Sequence, residues 1–242
     1  MNNKLHIGIL AAGKGSRMES DLPKVLHQLN GKSLIDYVLE TASELRPKSI
    51  TLVVGFKKEL VKNHIHVDHV DYVSQDQQLG TGHAVLQLAD KLENKSGHLL
   101  ILSGDVPNIT STSLTPIVNE HINKNHNATV LTAILDDSTG YGRIIRKNTG
   151  QLLKIVEQKD CNSIEKKIKE INSGIFIFKI SQLFKELRKI KSNNAQNEYY
   201  LTDVIELIGK KMPVHAEIIE DSSEVMGINT INQLSSLENS AQ

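Results

Sequence analysis

Two glycines and two cations stand close together near the start of the chain, in the stretch Leu10 to Lys24, LAAGKGSRMESDLPK. Gly13 and Gly15 open the backbone where side chains would crowd a ligand. Arg17 and Lys24 follow, the lysine fixed behind Pro23. Free backbone N–H groups beside paired cations are a means of holding phosphate: the amides face the anion and the cations neutralise it. A glycine-rich turn by itself is ordinary loop punctuation; the arginine and the Pro-Lys make it a phosphate pattern. Asp105 directly follows an apolar run, so its carboxylate belongs at a sheet rim. There it either caps the turn before Pro107 or holds Mg²⁺ beside phosphates, a task for hard oxygen ligands. Gln75 can make a two-point hydrogen bond to a nucleobase edge, because its amide both donates and accepts; a loop glutamine is also commonly solvated. Glu157 and Asn172 stand at ends of apolar runs and can reach a sugar. The histidines, His83 among them, lack metal-ligand spacing and read as surface or satisfied residues. Tyr199 and Tyr200 read as packing, and Glu165-Lys166-Lys167 as a solvated helix face.

Elements that position these groups alternate along the chain. Ile7–Leu10 reads as a buried strand leading into the glycine loop. Ser33 to Leu45 reads as a helix, with Leu34, Ile35, Val38, Leu39 and Ala42 at helical spacing and Ser33 able to cap it. Strands are expected at Ile50–Val54, Val70–Val73, His98–Leu102 and Ala128–Leu135. Helices are expected at Lys57–Asn63, Gly82–Leu92 and Leu114–Asn125. Repeated strand-then-helix order with continuous apolar strands argues for an α/β fold, a mostly parallel sheet covered by helices on both faces. After Asp136 the pattern loosens. Leu152–Val156 and Ile171–Phe178 read as strands of an insertion that extends the sheet edge. Helices at Ser181–Ile190 and Tyr200–Lys210, a strand at Val214–Ile219 and a helix at Thr230–Glu238 complete the chain. Ligands in open α/β sheets sit at the carboxyl ends of strands, which is where the loops bearing Gly13 and Asp105 fall.

The bulk numbers bound the function. A chain of 242 residues suits one large α/β domain. Lysine plus arginine equals aspartate plus glutamate at 28 each, so the basic excess of a polyanion-binding protein is missing, which speaks against nucleic acid as a partner. Cys161 is the single cysteine. It permits no intrachain disulfide and reads as a semi-exposed spectator thiol. The N-terminus lacks the apolar core of a signal peptide, and no apolar run approaches a membrane span. A reducing, cytoplasmic setting is the expectation.

The chain resembles the uridylyltransferase half of the bacterial N-acetylglucosamine-1-phosphate uridyltransferases, bifunctional enzymes that make UDP-N-acetylglucosamine for cell-wall precursors. The resemblance spans nearly the whole sequence. It is carried in order by LAAGKGSRM, DLPKVLH, QLGTGHA (Gln78–Ala84), GDVP (Gly104–Pro107), TGYGRI (Thr139–Ile144), EINSGI (Glu170–Ile175), NNAQNEYYLTD (Asn193–Asp203) and GIN (Gly227–Asn229). The first motif marks the wider sugar-nucleotidyltransferase superfamily; the ordered set marks this branch.

The resemblance implies a Rossmann-like nucleotidyltransferase fold and roles residue by residue. Leu10, Ala11, Ala12 and Gly13 line the nucleotide. Arg17 and Lys24 bind the triphosphate and the departing pyrophosphate. Gln75, Gly80 and Thr81 match uracil-reading positions. Asp105 and Asn229 match Mg²⁺ ligands, with Ser103 and Gly104 beside them. Gly142, Glu157 and Asn172 match positions that hold the N-acetylated sugar. The implied substrates are UTP and N-acetylglucosamine 1-phosphate. Residues 1–242 are expected to form one sugar-nucleotidyltransferase domain, without the family's C-terminal β-helix of acetyltransferase repeats. Without that trimerising part, a monomer or weak dimer is expected. A sibling enzyme using another sugar phosphate or base, and a non-catalytic sugar-nucleotide sensor, are the competing readings. A dinucleotide-binding dehydrogenase is disfavoured: Met18 stands where the third glycine of GxGxxG belongs, and no acidic residue ends a second strand about 20 residues on.

Overall fold

The computed structural model describes residues 2–240. Its first half runs β1 (Asn2–Ala11), β2 (Gln28–Leu29), β3 (Lys32–Ser33), α1 (Leu34–Glu44), β4 (Pro47–Val54), α2 (Lys58–His64), β5 (Val70–Ser74), α3 (Thr81–Gln87), α4 (Ala89–Leu92), β6 (His98–Ser103) and α5 (Ser111–Asn123). The second half runs β7 (Ala128–Ile134), β8 (Arg143–Arg146), β9 (Leu152–Val156), β10 (Glu170–Lys179), α6 (Ile180–Leu187), α7 (Thr202–Gly209), β11 (His215–Ile218) and α8 (Ile231–Ser240).

Side-chain alternation explains why the main sheet is buried on both faces. From β1, Leu5, Ile7 and Ile9 join one core with Leu100 and Leu102 of β6 and the apolar faces of α1 and α5. Leu99 and Ile101 of β6 point to the opposite core, where α3, α6 and α7 pack through Val85, Phe184 and Ile205. Strand order is β11-β7-β10-β6-β1-β4-β5, with the β8–β9 hairpin attached through β10. β6, β1, β4 and β5 are mutually parallel, as are β7 and β11. β10 runs antiparallel to both its neighbours. Parallel pairing brings Ala11, Val54 and Ser103 to one rim.

The predicted α/β architecture stands, with local corrections. The strand expected over Ile171–Phe178 is no edge extension: β10 lies inside the sheet, between β7 and β6. Only the β8–β9 hairpin projects from it, and β8 was not foreseen. The helix expected over Gly82–Leu92 is interrupted at Leu88, where the backbone tightens (Leu88 N donates to Val85 O, 3.1 Å) as that side chain sinks over Gly8. α5 begins earlier than expected because Thr110 caps it, accepting from Ser113 N at 3.2 Å. Ser33 caps α1 as expected. Cys161 is buried rather than semi-exposed; burial pushes its thiol pKa up, which keeps it a thiol rather than a nucleophile. Among the described residues no helix is long and apolar enough to cross a membrane.

Candidate active site

The glycine loop leaves β1 at the rim. Gly15 takes a left-handed conformation (φ 65°), and a Cβ there would stand 2.5 Å from Lys24 Cβ. Glycine is needed for both reasons. The following turn, Ser16–Met18, is anchored by buried Met18, which leaves Arg17 exposed. Phe56 N donates to Ala12 O at 3.0 Å, tying the loop to the end of β4.

Two adjoining hollows, of about 270 and 230 Å³, open along this rim. The first is lined by Leu10, Ala11, Ala12, Gly13, Gln75 and Gly80. The second is lined by Tyr141, Gly142, Glu157, Asn172, Thr202 and Asn229. Leu10, Thr81, Ser103 and Asp105 belong to both. Asp105 therefore stands at the junction.

In the first hollow the buried Gln75 amide donates from Nε2 to Gly80 O at 3.0 Å and lies 3.1 Å from His83 Nδ1. One donor of the amide is thus taken by Gly80 O. The segment 193–201 closes this side: Gly82 N donates to Tyr199 O (2.7 Å), Tyr199 N to Leu79 O (2.8 Å), and Leu201 N to Thr81 Oγ1 (3.1 Å). The tyrosine pair thus does more than pack, since the backbone of Tyr199 braces the Gly80–Thr81 turn.

In the second hollow a Cβ on Gly142 would lie 3.2 Å from Ile155 Cγ2 and 3.3 Å from Glu157 Oε2, so glycine leaves the carboxylate room. Asn172 N donates to Gly142 O at 2.9 Å. β10 changes register between Asn172 and Phe176, a bulge of the kind that re-aims side chains beside sites. Ser173 Oγ donates to Leu131 O and accepts from Ile175 N, satisfying the disrupted backbone. Thr202 Oγ1 donates to Glu157 Oε1 at 3.0 Å. Burial raises the Glu157 pKa, with Asp203, Asp160 and Glu198 adding repulsion. Thr202 lies within a motif that carries the resemblance, but a threonine there signals no role by residue type.

At the junction, Asp105 Oδ1 accepts from the Ser103 hydroxyl and Oδ2 pairs with Lys24 Nζ. Lys24 Nζ also donates to Asn229 Oδ1 at 2.8 Å, as does Arg17 Nη2 at 2.8 Å. Asn229 arrives from the far end of the chain. Leu234 and Leu237 of α8 pack on Leu29, Leu34 and Ile228, and Ile228 N donates to Asp105 O at 2.9 Å. A capping box starts α8: Gln233 N donates to Thr230 Oγ1 and Thr230 N to Gln233 Oε1, which also accepts from Asn229 N at 2.7 Å. Gly104 serves the packing beneath, its N–H donating to Leu10 O at 2.9 Å.

Asp105 Oδ2 and Asn229 Oδ1 therefore converge on one ammonium. Two hard oxygens within reach of a single cation also fit a divalent ion that draws its other ligands from phosphate and water. Among the described residues there is no group of three or more His, Cys, Asp or Glu side chains able to hold a metal, so the protein offers only a partial coordination sphere.

Comparison with known proteins matches residues 8–228 to the family described as Nucleotidyl transferase. The proteins named Bifunctional protein GlmU from Streptococcus uberis and from Streptococcus pyogenes serotype M1 are each 46% identical over 222 residues, 91% of this chain and 48% of theirs. The chain spans about half the length of the curated relatives it matches. Among solved structures, UDP-glucose pyrophosphorylase complexed with UDP-glucose superposes with a TM-score of 0.79 at 20% identity, covering 99% of this chain and 98% of that one. The apo form of UDP-glucose pyrophosphorylase gives 0.80 at 18% identity, with 99% and 98% covered. These likenesses establish the fold.

Proposed function

The chain belongs to the nucleotidyl transferase family, and from that premise we propose that it transfers uridylyl from UTP to N-acetylglucosamine 1-phosphate, giving UDP-N-acetylglucosamine and pyrophosphate. The observation that carries this reading is the pair of hollows meeting at Asp105, one for a nucleotide and one for a sugar phosphate. The 46% identity to bifunctional GlmU proteins over 91% of the chain supports the choice of base and sugar. The reaction is assigned to the cytoplasm, where UTP is made and used.

Leu10, Ala11, Ala12 and Gly13 receive the nucleotide, and Gln75 Oε1, with the Gly80–Thr81 turn, faces the uracil. Gly142, Glu157 and Asn172 hold the N-acetylated sugar, and Thr202 orients Glu157. A phosphate oxygen of the sugar phosphate attacks the α-phosphorus of UTP, and pyrophosphate leaves opposite. The second pKa of a phosphate monoester is about 6, so the nucleophile is largely ionised at neutral pH and needs no base. This chain's task is therefore positioning and charge neutralisation. Arg17 and Lys24 offset charge on the triphosphate and leaving pyrophosphate. Asp105 and Asn229, with Ser103 orienting the carboxylate, are the residues that hold Mg²⁺, which when bound screens the repulsion between the two reacting phosphates.

The deciding experiment is Mg²⁺-dependent pyrophosphate release with UTP, offering N-acetylglucosamine 1-phosphate and glucose 1-phosphate in parallel. Fast release with the first sugar and little with the second is expected. Release with glucose 1-phosphate alone overturns the sugar assignment, and no release from folded, UTP-binding protein overturns catalysis.

A further inference from the structure

The two oxygens assigned above to the metal already share a cation that the chain supplies. Lys24 Nζ pairs with Asp105 Oδ2 and donates to Asn229 Oδ1 at 2.8 Å, and the Lys24 and Asp105 side chains are only 14% and 17% exposed. The other oxygen of Asp105 is taken by the Ser103 hydroxyl. A mostly buried carboxylate left without a partner is costly, and removal of one partner exposes that cost. The lysine removes it in the metal-free protein. Its stem is pinned at the base, where Cβ, Cγ and Cδ pack along Gly15. The ammonium is a compact charge on a flexible chain, so its outer torsions can carry Nζ elsewhere without disturbing the loop.

We infer that Lys24 is a placeholder for the divalent ion: its ammonium holds the position between Asp105 and Asn229 in the free protein and leaves it for the nucleotide phosphates when the ion enters. This rests on the reading of Asp105 and Asn229 as metal ligands. An ammonium and a divalent cation cannot both contact the same two oxygens, because like charges at that spacing repel strongly. The ion therefore competes with Lys24 in the free protein. A bound triphosphate attracts the ammonium away from Asp105 and relieves the competition. Nucleotide and metal then strengthen each other's binding, and by linkage each does so by the same factor. One side chain thus keeps the empty site intact, discourages metal without nucleotide, and becomes a phosphate clamp on loading.

The test uses Mn²⁺, which takes the same oxygen donors and whose free concentration is read by electron paramagnetic resonance. Nucleotide-free wild type is compared with Lys24→Met, Lys24→Gln, Arg17→Gln and the double variant Lys24→Met/Asp105→Asn, each checked for a wild-type-like thermal melt. Both Lys24 variants are expected to bind Mn²⁺ at least tenfold more tightly than wild type, and the added Asp105→Asn change is expected to abolish the gain. Arg17→Gln removes the same charge and its contact with Asn229 Oδ1 but leaves the Lys24–Asp105 pair in place, and is expected to gain clearly less than either Lys24 variant. A gain of equal size in Arg17→Gln shows that the Lys24–Asp105 pair is not what holds the ion off, and overturns the placeholder. So does unchanged affinity in both Lys24 variants. The metal assignment is read separately, from Mn²⁺ held with UDP-N-acetylglucosamine by wild type and lost in Asp105→Asn. If that control holds while the Lys24 variants show no gain, the inference alone fails; if Mn²⁺ never depends on Asp105, both fail.

Discussion

Arg17 donates from Nη2 to Oδ1 of Asn229 at 2.8 Å, across 212 residues of sequence. The contact joins the first loop of the chain to the turn that precedes its last helix. Neither residue is held by the sheet directly. Arg17 depends on Gly15 and buried Met18, and Asn229 depends on α8 docking over Leu29 and Leu34. This side of the junction is complete only when both the Gly15 loop and the turn before α8 are in place.

On its proposed role, replacing Arg17 by alanine removes a donor to charge that develops on the departing pyrophosphate. The expected cost is roughly 2–4 kcal/mol of barrier, by analogy with loss of a donor to transition-state charge. Arg17 is exposed, so the melting temperature should hardly move. Steady-state pyrophosphate release measures the first and a thermal melt the second. A rate loss under threefold removes Arg17 from the assigned role.

Gln233 lines neither hollow, yet its Oε1 accepts from both Asn229 N and Thr230 N. Gln233→Ala should cost about 1 kcal/mol of stability, the scale of a lost cap. It should also raise the Mg²⁺ concentration needed for half-maximal rate severalfold, with the rate at saturating Mg²⁺ near wild type. A Mg²⁺ titration of pyrophosphate release distinguishes this from a purely structural role, which moves stability and leaves the titration unchanged.

The contrast between Arg17 and Gln233 shows what was legible in the chain. The apolar run before Gly13, the cap at Ser33 and the aspartate after His98–Leu102 are local signals, because strand burial and helix capping are decided by neighbours in sequence. The placement of β10 is not local. Its alternation marks buried faces but not which strands flank it, and an antiparallel strand between parallel ones follows from tertiary pairing. β8 was hidden for the same reason: RIIR is short and ends in arginines, and Arg143 is nonetheless buried. Thr202 and Gln233 act on other site residues, and a polar side chain that positions another has no spacing to betray it. The residue type of Gln75 suggests a base contact, but the bond from its Nε2 to Gly80 O is visible only in the fold.

Glu157 ties function to a stability cost. Burial lifts its carboxyl pKa above the ordinary value. A carboxyl whose folded pKa lies above its unfolded one contributes stability below pH 4.5 and loses it as pH rises through the folded value. As pH rises toward neutral, Glu157 therefore counts against the fold. Glu157→Gln keeps an acceptor for Thr202 Oγ1 and should stabilise the protein at pH 7.5. The gain should shrink as pH falls. On its proposed role in holding the sugar, the KM for N-acetylglucosamine 1-phosphate should rise. Urea denaturation at pH 7.5 and at lower pH and a substrate titration check both halves; a variant less stable at pH 7.5 contradicts the burial argument.

A histidine cluster far from Asp105 should govern the acid limit of the fold. His121 Nε2 lies 2.9 Å from His98 Nδ1, and His121 Nδ1 lies 2.8 Å from Thr129 Oγ1. His126 stacks against His121 and meets His215 of β11 edge-on. His98 and His121 are hydrogen-bonded as expected, but His126 is neither a surface residue nor satisfied: it is buried and its Nδ1 has no hydrogen-bond partner. Burial lowers His98 to about 4, with Lys179 and Lys4 adding repulsion, and lowers His121 to about 3, with His98, His126 and His215 adding theirs. Glu120 opposes the shift at His126 and His215, while Lys124 reinforces it. A histidine lowered in the fold contributes its full stability above the unfolded pKa of about 6.5 and loses it as pH falls toward the folded value. His98 and His121 should each remove about 2 kcal/mol between pH 7.5 and pH 5. Urea denaturation across that range should show stability falling, with a shallower slope in His121→Gln, which starts less stable because His98 and Thr129 lose their partner. The substitution leaves the Asp105 junction untouched, so pyrophosphate release per folded molecule at pH 7.5 should match wild type. An unchanged pH slope in the variant removes His121 from the acid response and leaves that loss to the carboxylates.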